Sequence, residues 1–201
     1  MTAGQGTNMR DPRATMPPAA WLRRHAPLIA PGSRVLDLAA GHGRNACFLA
    51  SLGHDVVAVD RDADALSALA GVARVATRVL DLETPSWPLA GERFDAIVVN
   101  HYLHRPSFGA ILAALSDRGV LIYETFAAGN EAFGRPSNPA FLLAAGELLE
   151  RTRGRLAVVS YEEGRVDRAG GSAVIQRLAA VGRHYARPWP LPEARDTGAE
   201  W

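Results

Sequence analysis

The 201-residue sequence contains no lysine: all 22 of its basic residues are arginine. Together with abundant alanine, this points to base composition rather than to a binding function. Against 21 acidic residues the formal net charge is only +1, which gives no global attraction to nucleic acid or to an anionic membrane. There is one cysteine, Cys47, so no internal disulfide can form. Its position on the apolar face of an expected helix marks it as a small buried hydrophobe. No stretch approaches the roughly 20 apolar residues of a membrane span, and the first residues lack an apolar signal core. These absences exclude a disulfide scaffold and a membrane partner, and make the cytoplasm the expected location. What remains is ordinary for a folded domain: 48% hydrophobic and 21% charged residues, in a length suited to one domain with an ample core.

Residues 1–16 are small, polar and unpatterned, and are expected to be flexible. Pro17-Pro18 precede a helix expected over Ala19 to Ile29. Short apolar runs then alternate with helical patterns. Strands are expected at Val35–Leu38, Val56–Val59, Ala73–Leu80, Phe94–Val99 and Gly119–Thr125. Helices are expected from the glycine turn at Gly41–Gly43 to about Leu52, after Asp62, and over Ser107–Leu115. A polar stretch, Phe126 to Pro139, has the length of a functional loop. A helical pattern follows over Phe141–Arg153, then two strands, Leu156–Tyr161 and Ser172–Leu178, as an antiparallel pair. Residues 187–201, opening on Arg187-Pro188-Trp189-Pro190-Leu191-Pro192, forbid helix and are expected to form a Pro-rich tail. The expected domain therefore spans residues 17–186, an α/β fold with a mainly parallel sheet and one antiparallel member.

The most informative stretch is Val35-Leu36-Asp37-Leu38-Ala39-Ala40-Gly41-His42-Gly43-Arg44-Asn45. It joins a buried strand to the mouth of a helix through a glycine turn, where backbone N–H groups face a ligand. Nineteen residues after Gly41, the second strand ends in Asp60, placed to hold a ribose hydroxyl pair. Gly41-x-Gly43-x-x-Ala46 also satisfies a relaxed dinucleotide fingerprint. Charge separates the two cofactors. Asp37, close to the turn, would repel a pyrophosphate where screening is poor. The same carboxylate favours the sulfonium and ammonium of S-adenosylmethionine (SAM), which carries no phosphate. An NAD(P)-dependent oxidoreductase is the alternative enzyme, and a non-catalytic SAM-binding subunit the alternative outside catalysis.

Asp37-x-Ala39-x-Gly41-x-Gly43-Arg44-Asn45 resembles motif I of the class I SAM-dependent methyltransferases, and its Gly-His-Gly-Arg-Asn variant is similar to the tellurite-resistance-type small-molecule branch. Val59-Asp60, Leu80-Asp81-Leu82-Glu83 and Phe94-to-Asn100 resemble the later motifs of the family, in order, between about Ser33 and Thr125. The resemblance implies a Rossmann-like three-layer sandwich with a mostly parallel seven-stranded sheet, order 3-2-1-4-5-7-6, and an antiparallel C-terminal strand. It implies SAM as cofactor, with S-adenosylhomocysteine (SAH) as its product. The cofactor residues expected are Asp37, Ala39, Gly41, Gly43, Arg44, Asn45, Asp60, Arg61, Asp81, Leu82, Asn100 and His101. Asp81 is implied as an acceptor for the adenine amino group and Leu82 as a backbone donor.

His101, Tyr102 and His104 follow the fourth strand at the edge where open α/β sheets bind ligands, and are the candidate proton acceptors or substrate orienters. Metal ligands use the spacing of His101 and His104, but no carboxylate or cysteine completes a set, so no metal is expected. Glu124 is expected either to pair with an arginine or to face substrate. Arg135 and Asn138 are further candidates for substrate choice. Asn100-His101-Tyr102-Leu103 departs from the Asn/Asp-Pro-Pro-Tyr/Phe set of amino-directed nucleic-acid methyltransferases. The acceptor is therefore expected to be a small molecule, less so a protein side chain, with the chain acting as a monomer or homodimer.

Overall fold

The computed structural model describes residues 16–168 and 170–191. The expected flexible segment up to residue 15, and the tail beyond Leu191, lie outside the described residues. Seven strands form one sheet: β1 (Arg34–Leu38), β2 (Asp55–Asp60), β3 (Val75–Val79), β4 (Phe94–Asn100), β5 (Leu115–Phe126), β6 (Leu156–Arg168) and β7 (Gly171–Gly182). Their order is 3-2-1-4-5-7-6. Strands β1 to β5 pair in parallel, and β7 runs antiparallel between β5 and β6.

The central strands are apolar on both faces because both faces are covered. On one face, α1 (Ala20–His25), α2 (Arg44–Ser51) and α3 (Ala63–Ser67) bury Trp21, Leu22, Ala46, Leu49 and Leu66 against Val35, Val98 and Ile122. On the other, α4 (Phe108–Ala114) and α5 (Glu147–Thr152) bury Phe108, Ile111 and Leu148 against Ile97, Leu121 and Leu178. The result is a three-layer, Rossmann-like sandwich. Asp62 caps α3 as its position predicts, accepting the Ala65 N–H at 3.0 Å. Among the described residues, no helix is long and apolar enough to cross a membrane.

The helix expected over Ala19–Ile29 is α1 followed by a 3₁₀ turn, Ala26–Leu28, and β5 begins at Leu115 rather than Gly119; two further elements differ more. The helix expected over Phe141–Arg153 begins only at Glu147, because Gly146 adopts φ +69° at its N-cap. The segment before it is a 3₁₀ turn, Pro139–Phe141, followed by extended backbone in which Leu143 bridges Ala127. The β6–β7 hairpin is also far longer than its apolar cores, since the backbone ladder continues through a mixed polar and apolar stretch to Arg168 and Gly171. After β7 the chain returns to the domain. Tyr185 donates to the Leu28 carbonyl at 2.6 Å, and Trp189 packs against the α1 face.

One buried ion cluster fixes the carboxyl-edge wall of the fold. Arg105 donates to Glu147 through Nε (2.9 Å) and Nη2 (2.8 Å), and also grips the carbonyls of Ala140 and Leu142. Glu147 further accepts from Arg151 and from the Ala144 N–H. Burial raises its carboxyl pKa, but Arg105, the Ala144 N–H and Arg151 outweigh that and hold it at about 2. Glu147→Gln is expected to cost about 1–3 kcal/mol at neutral pH, read as a shift of the urea midpoint. A folded-state pKa below the unfolded value gives stability that is present above the unfolded pKa and lost as pH falls toward the folded one. The difference between the two proteins should accordingly shrink across the acid range, and an unchanged neutral midpoint would remove this cluster from the stability of the domain.

Candidate functional site

The site grows from the carboxyl ends of β1, β2 and β4. Ala39 leaves β1 at φ +56° and His101 leaves β4 at φ +57°. Left-handed backbone costs a non-glycine residue roughly 1–2 kcal/mol, and such strain gathers at functional sites. Between Ala39 and α2 the turn is closed by Gly43 N–H to the Ala40 carbonyl, 2.9 Å. Gly41 sits at φ +53°, and a Cβ there would point into open space. Gly43, at φ +77°, is glycine for a packing reason as well, since a Cβ would lie 2.3 Å from the Leu69 side chain.

Asp60 ties the turn to β2: one oxygen accepts the Gly41 N–H at 2.8 Å and the other the Asp62 N–H at 3.0 Å. Each carboxylate oxygen keeps further acceptor capacity. Asp37 lies beneath, 1% exposed. Burial raises its pKa to about 7, against the opposing effects of the Ala46 N–H bond and nearby Arg44. Its Oδ2 is buried without a hydrogen-bond partner, as is Asn100 Nδ2. Buried polar atoms in native folds are nearly always satisfied, so these two atoms beside one turn mark a place for a ligand's polar groups.

Two pockets open beside the turn. The first is lined by Ala39, Asp60, Arg61, Leu80, Asp81, Leu82, Glu83 and Tyr102. The second, larger one is lined by Glu83, His101, Tyr102, Leu103, Thr125, Phe126, Pro136 and Phe141. Glu83 and Tyr102 belong to both, so the pockets adjoin. Tyr102 is held from behind, where Tyr123 donates to its carbonyl at 2.8 Å. The His101 ring stacks on Phe126, centroids 4.8 Å apart, and its Nε2 lies 4.0 Å from Glu124 Oε1. Glu124 is buried, with Arg177 Nη1 at 3.5 Å, so it is an arginine partner that also faces His101.

Most of the expected residues converge. Ala39, Asp60, Arg61, Asp81, Leu82 and Tyr102 line the first pocket, and His101 and Tyr102 line the second. Asp81 also turns its carboxylate onto the Glu83 N–H at 2.9 Å. Arg44 donates to Asn100 Oδ1 at 2.6 Å, tying α2 to β4. Asn45 points elsewhere: it is buried and accepts the Ala19 N–H at 3.0 Å. His104 lines neither pocket. Its Nδ1 is 2.6 Å from Ser107 Oγ, whose hydroxyl donates to the Leu82 carbonyl. Asn138 caps the Pro139–Phe141 turn by accepting the Ala140 N–H, while Pro136 rather than Arg135 reaches the second pocket. Sequence reasoning passed over Phe126 and Phe141; the only available signal was two aromatics flanking a polar loop.

Residues 35–118 match the family model of a methyltransferase domain. No curated protein matches the chain. Among solved structures, the chain is similar to TehB from Haemophilus influenzae, with 21% identity and a TM-score of 0.67 over 81% of this chain. It spans 61% of that protein's length. A TehB-like SAM-dependent methyltransferase from Corynebacterium glutamicum is 21% identical, with a TM-score of 0.57 over 81% of this chain and 87% of that one. The 1,6-didemethyltoxoflavin-N1-methyltransferase of Burkholderia thailandensis, solved with 1,6-didemethyltoxoflavin and SAH bound, is 27% identical. Its TM-score is 0.61, over 81% of this chain and 76% of that one.

The buried Asp37 carboxylate generates a pH dependence. A cationic ligand favours its ionised form, whose population falls as pH drops below about 7. SAM affinity measured from about pH 8 down to about pH 5.5 is expected to weaken, with a slope approaching about tenfold per unit at the acid end. Asp37→Asn should bind weakly and without that slope. A wild-type profile as flat as the variant's would exclude Asp37 from cofactor binding.

Proposed function

We propose, from the premise that this chain is a class I, Rossmann-like SAM-dependent methyltransferase, that it methylates a small-molecule acceptor held in the second pocket. The observation that carries the reading is the shared wall of Glu83 and Tyr102, which sets the second pocket directly against the one lined by Ala39, Asp60, Arg61, Asp81 and Leu82, five of the expected cofactor residues.

The residues present fit the cofactor. Asp60 offers carboxylate oxygens to a ribose diol, and Asp81 and Leu82 close the adenine side of the first pocket. Asp37 Oδ2 suits a cationic group, and the Asn100 amide suits an acceptor such as a carboxylate. Bound SAM supplies a methyl group already activated by its sulfonium. The protein's task is then positioning, which can contribute roughly 7–11 kcal/mol to barrier lowering when reacting atoms are held in line. Tyr102, pinned through its carbonyl by Tyr123, fixes the boundary between the pockets. His101 is the proton acceptor of this reading, because it lines the acceptor pocket with a carboxylate behind it. His104 is a positioning residue that holds the Tyr102–Leu103 turn through Ser107 and the Leu82 carbonyl.

Isothermal calorimetry against SAM, SAH and NADPH tests the cofactor assignment. Micromolar binding of the first two without NADPH is expected; binding of NADPH alone would make the chain a reductase and overturn the reading. Asp60→Ala should weaken SAM by about 1–3 kcal/mol, from the charge-assisted hydrogen bonds it removes. It should also lower the melting temperature, because the Gly41 and Asp62 N–H groups lose their acceptor. Full affinity in a folded variant would remove Asp60 from the site.

A further inference from the structure

We infer that the acceptor is a flat, uncharged heteroaromatic compound bearing an ionisable N–H or O–H, and not an anion. The inference deepens the proposed function and rests on it. Four ring systems surround the second pocket: Tyr102, Phe126, Phe141 and the His101 imidazole. His101 and Phe126 already stand nearly parallel, with 29° between their planes. Ring edges and faces around a single cavity favour a flat π-surface, through offset-stacked and edge-to-face contacts. Phe141 is half-exposed, so part of its ring has no protein neighbour.

The polar lining sets the charge. Thr125 supplies a hydroxyl and Glu83 a carboxylate, and no arginine lines the pocket; the chain has no lysine. Three arginines of the surrounding wall are committed elsewhere, Arg105 to Glu147, Arg177 to Glu162 and Glu124, and Arg44 to Asn100, while Arg135, beside Pro136, is exposed and outside the pocket lining. An oxyanion or carboxylate would meet a carboxylate instead of a cation, in a cleft where screening is poor.

A neutral N–H or O–H also balances the reaction. The acceptor atom forms its bond to the methyl carbon as the carbon–sulfur bond breaks, with the bonding pair remaining on sulfur. The acceptor's proton passes to His101. Positive charge thus leaves the sulfonium and comes to rest on an imidazolium 4.0 Å from Glu124, itself braced by Arg177. An acceptor that is already an anion would leave that arrangement without a proton to take.

The test is calorimetric titration of the SAH-saturated protein at near-neutral pH with lumazine, theophylline and hydroxyquinoline on one side, and sodium selenite on the other. At least one heteroaromatic is expected to bind and selenite is not. Phe141→Ala should weaken the heteroaromatic by roughly tenfold or more, a loss of about one stacked ring, with SAH affinity unchanged as the control for folding. Selenite binding more tightly than every heteroaromatic would overturn the inference. So would silence from all three in protein that holds SAH, or unchanged heteroaromatic affinity in the variant. Failure of SAH itself to bind would strike the proposed function, and this inference with it.

Discussion

A carboxylate sealed from water near the end of β1 sets the terms for its surroundings. Ionised Asp37 in a closed site costs several kcal/mol relative to water unless it is paired. The Ala46 N–H and nearby Arg44 return only part of that, and burial still leaves its pKa near 7. The glycine turn, the Arg44–Asn100 bond and the Asp60 tether all lie within a few residues of that charge. They hold a backbone loop tightly enough that the carboxylate cannot relax toward solvent. A site of this kind is preorganised for a cation, because the protein has met the desolvation cost on folding.

The two pockets are built by different means. The first is local: strand ends, the turns after them, and side chains that also cap those turns. Asp60 and Asp81 each bind a backbone N–H two residues on, so the same carboxylates that shape the loops face the cavity. The second is assembled from distant segments. Its outer wall, Pro136 to Phe141, is held by Arg105 through two carbonyls and by the bidentate pair with Glu147. Gln176 adds to that wall from β7, donating to the Ala144 carbonyl and accepting the Leu148 N–H. The second pocket is thereby a fixed cavity resting on a buried polar scaffold.

This difference decides what was legible in the sequence. Val35–Leu38, Val56–Val59 and Phe94–Val99 announce strands because their apolar runs are short, local and bounded by turns. Asp60, Asp81 and Tyr102 could be placed because each follows directly from a strand end. Phe126 and Phe141 could not, since their meeting depends on a crossing of chain fifteen residues apart in sequence. The false start of α5 has the same origin: Leu142, Leu143 and Leu148 mimic a helical stripe, but Gly146 turns left-handed and Leu143 joins Ala127 in extended form. Asn45 and Gly43 belong to motif I by position, yet the contacts that engage them, Ala19 and Leu69, lie in other elements and carry no signature of their own.

Strand β7 lies between β5 and β6 although it is the last of the three to be made. During synthesis the apolar edge of β5, with Leu121, Ile122 and Tyr123, therefore waits unpaired until residues up to Gly182 have left the ribosome. Strand β6 cannot cover it in the meantime, because its own ladder runs along β7. An open apolar edge is a template for pairing with another chain. The nascent domain is thus open to misassembly along β5 until β7 emerges, and the closing hairpin acts as the plug that ends that exposure.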